Sequence, residues 1–180
     1  MQFGVWKRII AGFTLILAHA HVLAIDSVAI EMGVGDRVQI AHLGVQWDWG
    51  ARWFQSNGAH LGGYWDLSLS QWRGTSYRGI KGDTQQITSI GLTPVFRIQR
   101  DNKKGAYLEG GVGMNLLSDL YDNNNHHLST RFQFGPNLGI GYVFDNKVDI
   151  GLRYQHYSNA NIKQPNDGVD VIAVRTRYAF

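Results

Sequence analysis

From residue 37 onward, apolar and polar side chains alternate with a period of two in segment after segment, the spacing of strands with two unlike faces. In 37–49, Ala41, Leu43, Val45, Trp47 and Trp49 share one phase, and His42, Gly44, Gln46 and Asp48 hold the other. In 61–72, Leu61, Trp65, Leu67 and Leu69 oppose Tyr64, Asp66, Ser68 and Ser70. In 86–99, Ile90, Leu92, Pro94, Phe96 and Ile98 oppose Thr93, Arg97 and Gln99, and in 105–116, Leu108, Val112, Met114 and Leu116 oppose Tyr107, Glu109, Gly111, Gly113 and Asn115. The clearest case is 129–144, where Phe132, Phe134, Leu138, Ile140, Tyr142 and Phe144 face away from Gln133, Gly135, Asn137, Gly139 and Gly141. A short segment at 26–33 and two more at 147–158 and 169–180 bring the expected strands to eight.

Which face is inside decides the class. In a soluble sandwich the apolar phase fills the core, whereas in a membrane barrel it meets lipid and small or polar residues fill the interior. Here the other phase repeatedly carries charge of both signs: Asp48, Asp66, Arg97, Glu109, Asp149, Arg153 and Arg175. Such a set belongs in a hydrogen-bonded lumen. The expected fold is therefore all-β, an eight-stranded antiparallel transmembrane β-barrel. Composition agrees, with 22 Gly, 6 Trp, 8 Tyr, 8 Phe and no Cys. The chain ends on Phe180 after an alternating strand, which resembles the assembly signal of bacterial outer-membrane proteins. With both termini periplasmic, Arg100–Lys104 and Asp145-Asn146 are short periplasmic turns, and 73–85, 117–128 and 159–168 are outer loops. Two connections fit this scheme less well: Gly33–Asp36 is short for an outer loop, and 50–60 is long for a periplasmic turn.

Residues 1–24 read as a cleavable export signal, with Lys7 and Arg8 ahead of the apolar stretch Ile9 to Leu17 and cleavage expected near Ala24. The apolar run is too short for a spanning helix, which needs about 20 residues. The barrel domain is then 25–180. Lys7 and Arg8 are the only charged residues in the signal, so the rest carries 15 basic against 14 acidic residues. That balance offers no phosphate-binding stripe and excludes nucleic acid as a partner.

Reactive side chains cluster at one strand end. Along 147–158 the apolar phase runs Val148, Ile150, Leu152, Tyr154 and then His156 and Ser158. On the returning strand, Asp170 shares the phase of Ile172, Val174, Thr176, Tyr178 and Phe180. Parity and topology thus bring His156, Ser158 and Asp170 together on the lipid-facing side, near the depth of the headgroups. A serine hydroxyl needs a base to take its proton, imidazole serves that role near neutrality, and a carboxylate on the other ring nitrogen fixes the tautomer. Asn166 or loop N–H groups are placed to stabilise an acyl oxyanion. His42 lies in the interior phase and reads as a satisfied lumen residue. His126 and His127, beside the loop tip Asn123-Asn124-Asn125, lack further ligands at metal-binding spacing and read as solvated loop. Gly110-Gly111-Val112-Gly113 has no helix after it and is no phosphate loop.

The stretch Arg153-Tyr154-Gln155-His156-Tyr157-Ser158-Asn159-Ala160, continued by Ile162-Lys163-Gln164-Pro165-Asn166-Asp167-Gly168, resembles the lipid A 3-O-deacylase family. The resemblance implies an outer-membrane esterase that removes the 3-hydroxyacyl chain ester-linked at position 3 of lipid A. It implies His156 as base, Ser158 as nucleophile, Asn166 in the oxyanion hole and Asn159 in support. The family's acid is Glu, and the aligned residue here is Asp170, one methylene shorter. The expected partner is lipid A of the outer leaflet, with no metal, cofactor or nucleic acid; a homodimer is left open. Two alternatives stand beside this reading: a non-catalytic small barrel serving adhesion or envelope integrity, and a lipid A acyltransferase barrel.

Overall fold

In the computed structural model, which describes residues 24–180, every long alternating segment becomes a strand. The export-signal expectation lies almost wholly outside the described residues. In chain order the strands are β1 (Ser27–Gly35), β2 (Val38–Asp48), β3 (Trp53–Ser56), β4 (Ala59–Gly74), β5 (Gln85–Arg100), β6 (Gly105–Leu117), β7 (Tyr121–Asn123), β8 (His126–Leu128), β9 (Phe132–Val143), β10 (Val148–Tyr157) and β11 (Val169–Ala179). Eight of them, β1, β2, β4, β5, β6, β9, β10 and β11, form one antiparallel sheet that closes when β1 pairs with β11, from Ser27↔Ala179 to Gly35↔Val171. Closure leaves no sheet edge, which satisfies the backbone without water. Leu43, Leu69, Ile90, Leu116, Leu138, Ile140, Leu152 and Ile172 all stand exposed on the outer wall. A continuous apolar wall of this kind is the surface of a barrel in lipid.

Both connections that fitted poorly have simple local causes. β1 and β2 are joined at Asp36-Arg37, with Arg37 at φ 53. This is a tight hairpin turn rather than a truncated loop. The long segment 50–60 folds back on itself: β3 pairs with the start of β4 (Trp53↔Leu61, Ser56↔Ala59) through the left-handed pair Asn57-Gly58. Around it Trp49 packs against Trp53, Trp65 and Phe96 at centroid distances of 5.0–5.9 Å. Such an aromatic group suits a membrane interface. The start of β1 and the C-terminus lie at this end of the barrel, where the Phe180 N–H donates to the Asp26 carbonyl.

The interior has two parts. Towards the terminus end it is ionic. Arg97 bridges Glu109 (2.6 Å) and Asp149 (2.8 Å), while Arg153 bridges Glu31 and Glu109, each at 2.7 Å. Arg175 adds contacts to Glu109 at 3.0 Å and Glu31 at 3.2 Å. The Tyr64 and Tyr107 hydroxyls donate to Glu109 and Asp149. Six of the seven interior charges expected from the pattern are buried here. Asp48 sits nearer the mouth and pairs with Lys103 and Arg177.

Towards the loop end the interior is apolar, which the polar-lumen expectation did not include. Val38, Ile40, Trp72, Ile87, Leu117, Tyr121, Leu128, Tyr157, Val169 and Val171 form one buried cluster. Trp72 lies 4.5 Å from Tyr157 and 5.9 Å from Tyr121 between ring centroids. The β7–β8 hairpin supplies Tyr121 and Leu128 and plugs the barrel from above. Tyr157, Val169 and Val171 alternate with His156, Ser158 and Asp170, so the plug packs directly behind the candidate site.

Candidate active site

The site occupies the loop end of the β10–β11 pair. Because β10 and β11 are antiparallel and in register, His156 and Asp170 are directly opposite. Cross-strand partners hold their Cβ atoms only about 4.5–5.5 Å apart, which a short acid can span. His156 Nδ1 lies 2.7 Å from Asp170 Oδ1, within the range of a charge-assisted hydrogen bond. The His156 side chain keeps 34% of its surface exposed and Asp170 keeps 62%, so both remain open to the membrane side. The Tyr154 hydroxyl donates to the same Asp170 Oδ1 at 2.6 Å.

Ser158 lies just beyond the end of β10. Its backbone still continues the sheet: the Phe134 N–H donates to the Ser158 carbonyl at 2.7 Å, and the Ser158 N–H donates back at 3.1 Å. Ser158 therefore stays two residues along from His156 on one strand-like path, the spacing that keeps side chains on one face. Among the described residues no side-chain hydrogen bond joins Ser158 to His156. Phe134, edge-on to Phe132 at 5.0 Å, sits beside the serine on the outer wall.

The loop 158–168 is held from several sides. It turns at Ala160-Asn161, both at positive φ, with the Ile162 N–H donating to the Asn159 carbonyl. Asn159 is fully buried: its Nδ2 donates to the Lys163 carbonyl at 2.8 Å, and its N–H donates to Asn166 Oδ1 at 3.0 Å. Asn166 Nδ2 points to Asn161 Oδ1 at 3.2 Å. The two asparagines singled out by the motif thus meet each other, one bracing the loop and the other presenting an amide N–H group at its edge.

His126 and His127 do more than occupy solvent. His127 lies between Asp122 (3.3 Å) and Asp167 (3.2 Å), and its backbone N–H donates to Asp167 Oδ2 at 2.7 Å. That backbone hydrogen bond, opposed by slight desolvation and helped by the ring, holds the Asp167 carboxyl below the usual carboxylate range. His126 Nδ1 contacts the Gly168 carbonyl at 3.2 Å. Gly168 in turn lies against the His156 ring: at φ 76, an added Cβ would come within 2.6 Å of His156 Cε1. The β7–β8 hairpin therefore clamps the loop, and the loop packs on the imidazole. Strand parity alone reveals neither contact, because both depend on how two loops meet. The Tyr154 contact was accessible from parity, since Tyr154 stands two residues before His156 on the same face.

Within the membrane-facing site, the arrangement presents an imidazole oriented by a carboxylate, a hydroxyl two residues on, and amide donors on a braced loop. Glu31, His42 and Asp66 form the one candidate metal-holding group among the described residues, and it lies in the lumen, away from this face. There Arg153 already neutralises Glu31, and the His42 ring is bonded to Ser70.

The model for the family lipid A 3-O-deacylase (PagL) matches residues 39–179. The lipid A deacylase PagL of Pseudomonas aeruginosa is 31% identical over 157 residues, covering 86% of this chain and 87% of that protein. Its counterpart in Bordetella bronchiseptica is 30% identical over 156 residues, covering 85% and 83%. Among solved structures, the crystal structure of the outer membrane enzyme PagL superposes with a TM-score of 0.76 at 28% identity, covering 86% of this chain and 99% of that one. The Yersinia pestis outer membrane protein Ail, at TM-score 0.50 and 11% identity over 86% of this chain and 99% of its own, shares the fold alone. With a family match running from β2 through β11 and two such relatives spanning most of both chains, the chain belongs to the lipid A 3-O-deacylase family.

Proposed function

We propose that the chain hydrolyses the ester of the 3-hydroxyacyl chain at position 3 of lipid A with a Ser158–His156–Asp170 triad facing the outer leaflet. Family membership makes it an outer-membrane enzyme that deacylates lipid A. The observation that carries the finer reading is the outward His156–Asp170 pair at 2.7 Å, with Ser158 next in phase. A soluble hydrolase would bury such groups in a cleft. Here they face the bilayer, where an acylated glycolipid presents its ester bonds.

The steps follow from these positions. Asp170 accepts a hydrogen bond from His156 Nδ1–H and so fixes the tautomer, leaving Nε2 free to take the Ser158 Oγ proton as Oγ attacks the ester carbonyl. Asn166 has a second Nδ2 hydrogen besides the one on Asn161, and its Oδ1 is held by the Asn159 N–H; that hydrogen meets the developing oxyanion, where such a donor is worth about 10²–10³ in rate. Collapse breaks the bond to the sugar oxygen, which takes the proton back from His156. Water, activated by the same imidazole, then releases the fatty acid and restores Ser158. The departing acyl chain lies along the apolar outer wall beside Phe134, Leu152 and Ile172. All three triad members come from one chain, so catalysis needs one copy, and the molar mass in detergent reports any homodimer. The loop end faces the cell exterior, with the start of β1 and the C-terminus at the opposite, periplasmic end, and cleavage near Ala24 leaves the barrel domain 25–180.

The test is product identity on purified lipid A. Hydrolysis yields free 3-hydroxy fatty acid in equal amount to the deacylated lipid, and Asp170→Asn loses about 10²–10⁴ of the rate while the barrel still folds. Transfer of the acyl chain to a lipid acceptor overturns the hydrolytic reading, and an Asp170→Asn variant as active as the parent overturns the triad.

A further inference from the structure

The geometry points to Tyr154 as a positioning residue for this reaction: its hydroxyl holds the Asp170 carboxylate in the orientation that the shorter acid needs to reach His156. This inference rests on the proposed triad. Two donors, the Tyr154 hydroxyl at 2.6 Å and His156 Nδ1 at 2.7 Å, converge on the single oxygen Asp170 Oδ1. Asp170 is exposed near the start of β11, with 62% of its side chain open to the surroundings. Left alone, such a carboxylate samples several rotamers and meets the imidazole only part of the time. A second short hydrogen bond to the same oxygen selects the rotamer aimed across the strands.

The commonplace role for a lipid-facing tyrosine is the interfacial belt. Tyr142 and Tyr178 fit that role, since they lie at the terminus end with no hydroxyl hydrogen bond among the described residues. Tyr154 lies towards the other end, one turn of the pleat before His156, and its hydroxyl is spent on the acid. The titratable groups facing Asp170 are Tyr154 and His156 from β10 and His126 from the β7–β8 hairpin.

The test compares Tyr154→Phe with the parent on detergent-dispersed lipid A, alone and in an Asp170→Asn background, with heat-modifiable migration confirming folded barrels. Tyr154→Phe is expected to lower kcat about tenfold, as for the loss of one charge-assisted hydrogen bond, with KM little changed. The acid limb of the kcat/KM profile is expected to move to lower pH, because the imidazolium then has its carboxylate partner only part of the time. The move persists in a His126→Asn background. In the Asp170→Asn background the Phe substitution adds nothing further. A merely structural tyrosine lowers activity without moving the limb, and that result overturns the inference, as does full activity or an undiminished loss in the Asp170→Asn background. If Asp170→Asn itself is fully active, the triad has failed, a result distinct from failure of Tyr154 alone.

Discussion

Gly168→Ala probes the link between the loop and the chemistry. The added Cβ would sit 2.6 Å from His156 Cε1, whereas carbon atoms rest about 3.5–4.0 Å apart. One of the two groups must retreat by about 1 Å. The loop resists, because the Gly168 carbonyl meets His126 and the neighbouring Asp167 is tied to His127. The imidazole therefore moves, and its 2.7 Å contact with Asp170 opens beyond hydrogen-bonding distance. A displacement of about 1 Å in a catalytic group can cost on the order of 10²-fold in rate, and that is the expected fall in kcat. Alanine at positive φ also carries a backbone cost of about 1–2 kcal/mol, so a matched control is needed. Gly58 has φ 75 and open space around its added Cβ, so Gly58→Ala bears the same backbone cost and is expected to keep full activity. The assay is initial-rate deacylation of dispersed lipid A, normalised to heat-modifiable, folded enzyme. A Gly168→Ala variant within twofold of the parent, or a Gly58→Ala variant equally impaired, refutes the contact argument.

Two further outcomes address the scaffold. Glu109 accepts hydrogen bonds from Arg97, Arg153, Arg175 and Tyr64. Glu109→Gln leaves buried guanidinium charge uncompensated and is expected to destabilise the barrel by about 3–5 kcal/mol, measured as urea unfolding in detergent; a loss under about 1 kcal/mol contradicts the network's role. Because the His127 N–H holds Asp167 below the usual carboxylate range, the loop clamp gains stability that is present above the ordinary carboxylate pKa and lost as pH falls through the lowered folded value. The protection of amides in 158–168, taken relative to the intrinsic exchange rate at each pH, should therefore fall below about pH 4, and Asp167→Asn should abolish that pH dependence; pH-independent protection in the parent contradicts the clamp.

Strand positions were legible because one chemical rule, apolar out and polar in, repeats at every second residue. The same parity placed His156 and Asp170 on one face at one end of neighbouring strands without any contact information, and the β10–β11 register then set them directly opposite. Parity could not reveal the apolar plug. Val38, Ile40, Ile87 and Val171 are interior residues that look outward by composition, and only the β7–β8 hairpin above them makes an apolar interior sensible. The hairpin itself was hidden because Tyr121–Asn123 and His126–Leu128 are too short to show a period. His126 and His127 consequently read as solvent-facing. The Gly168–His156 contact was invisible for a different reason: a glycine at positive φ marks a turn in sequence, but only the packed loop says which ring fills the missing Cβ.

The central claim is that Ser158, aimed at the bilayer, attacks an ester of lipid A. The most direct measurement is mass spectrometry of lipid A from bacteria carrying either the parent chain or Ser158→Ala, with both barrels shown to be folded in the outer membrane. The account predicts that lipid A lacks the 3-O-linked hydroxyacyl mass in the parent and retains it in the variant. Full deacylation by Ser158→Ala would contradict it.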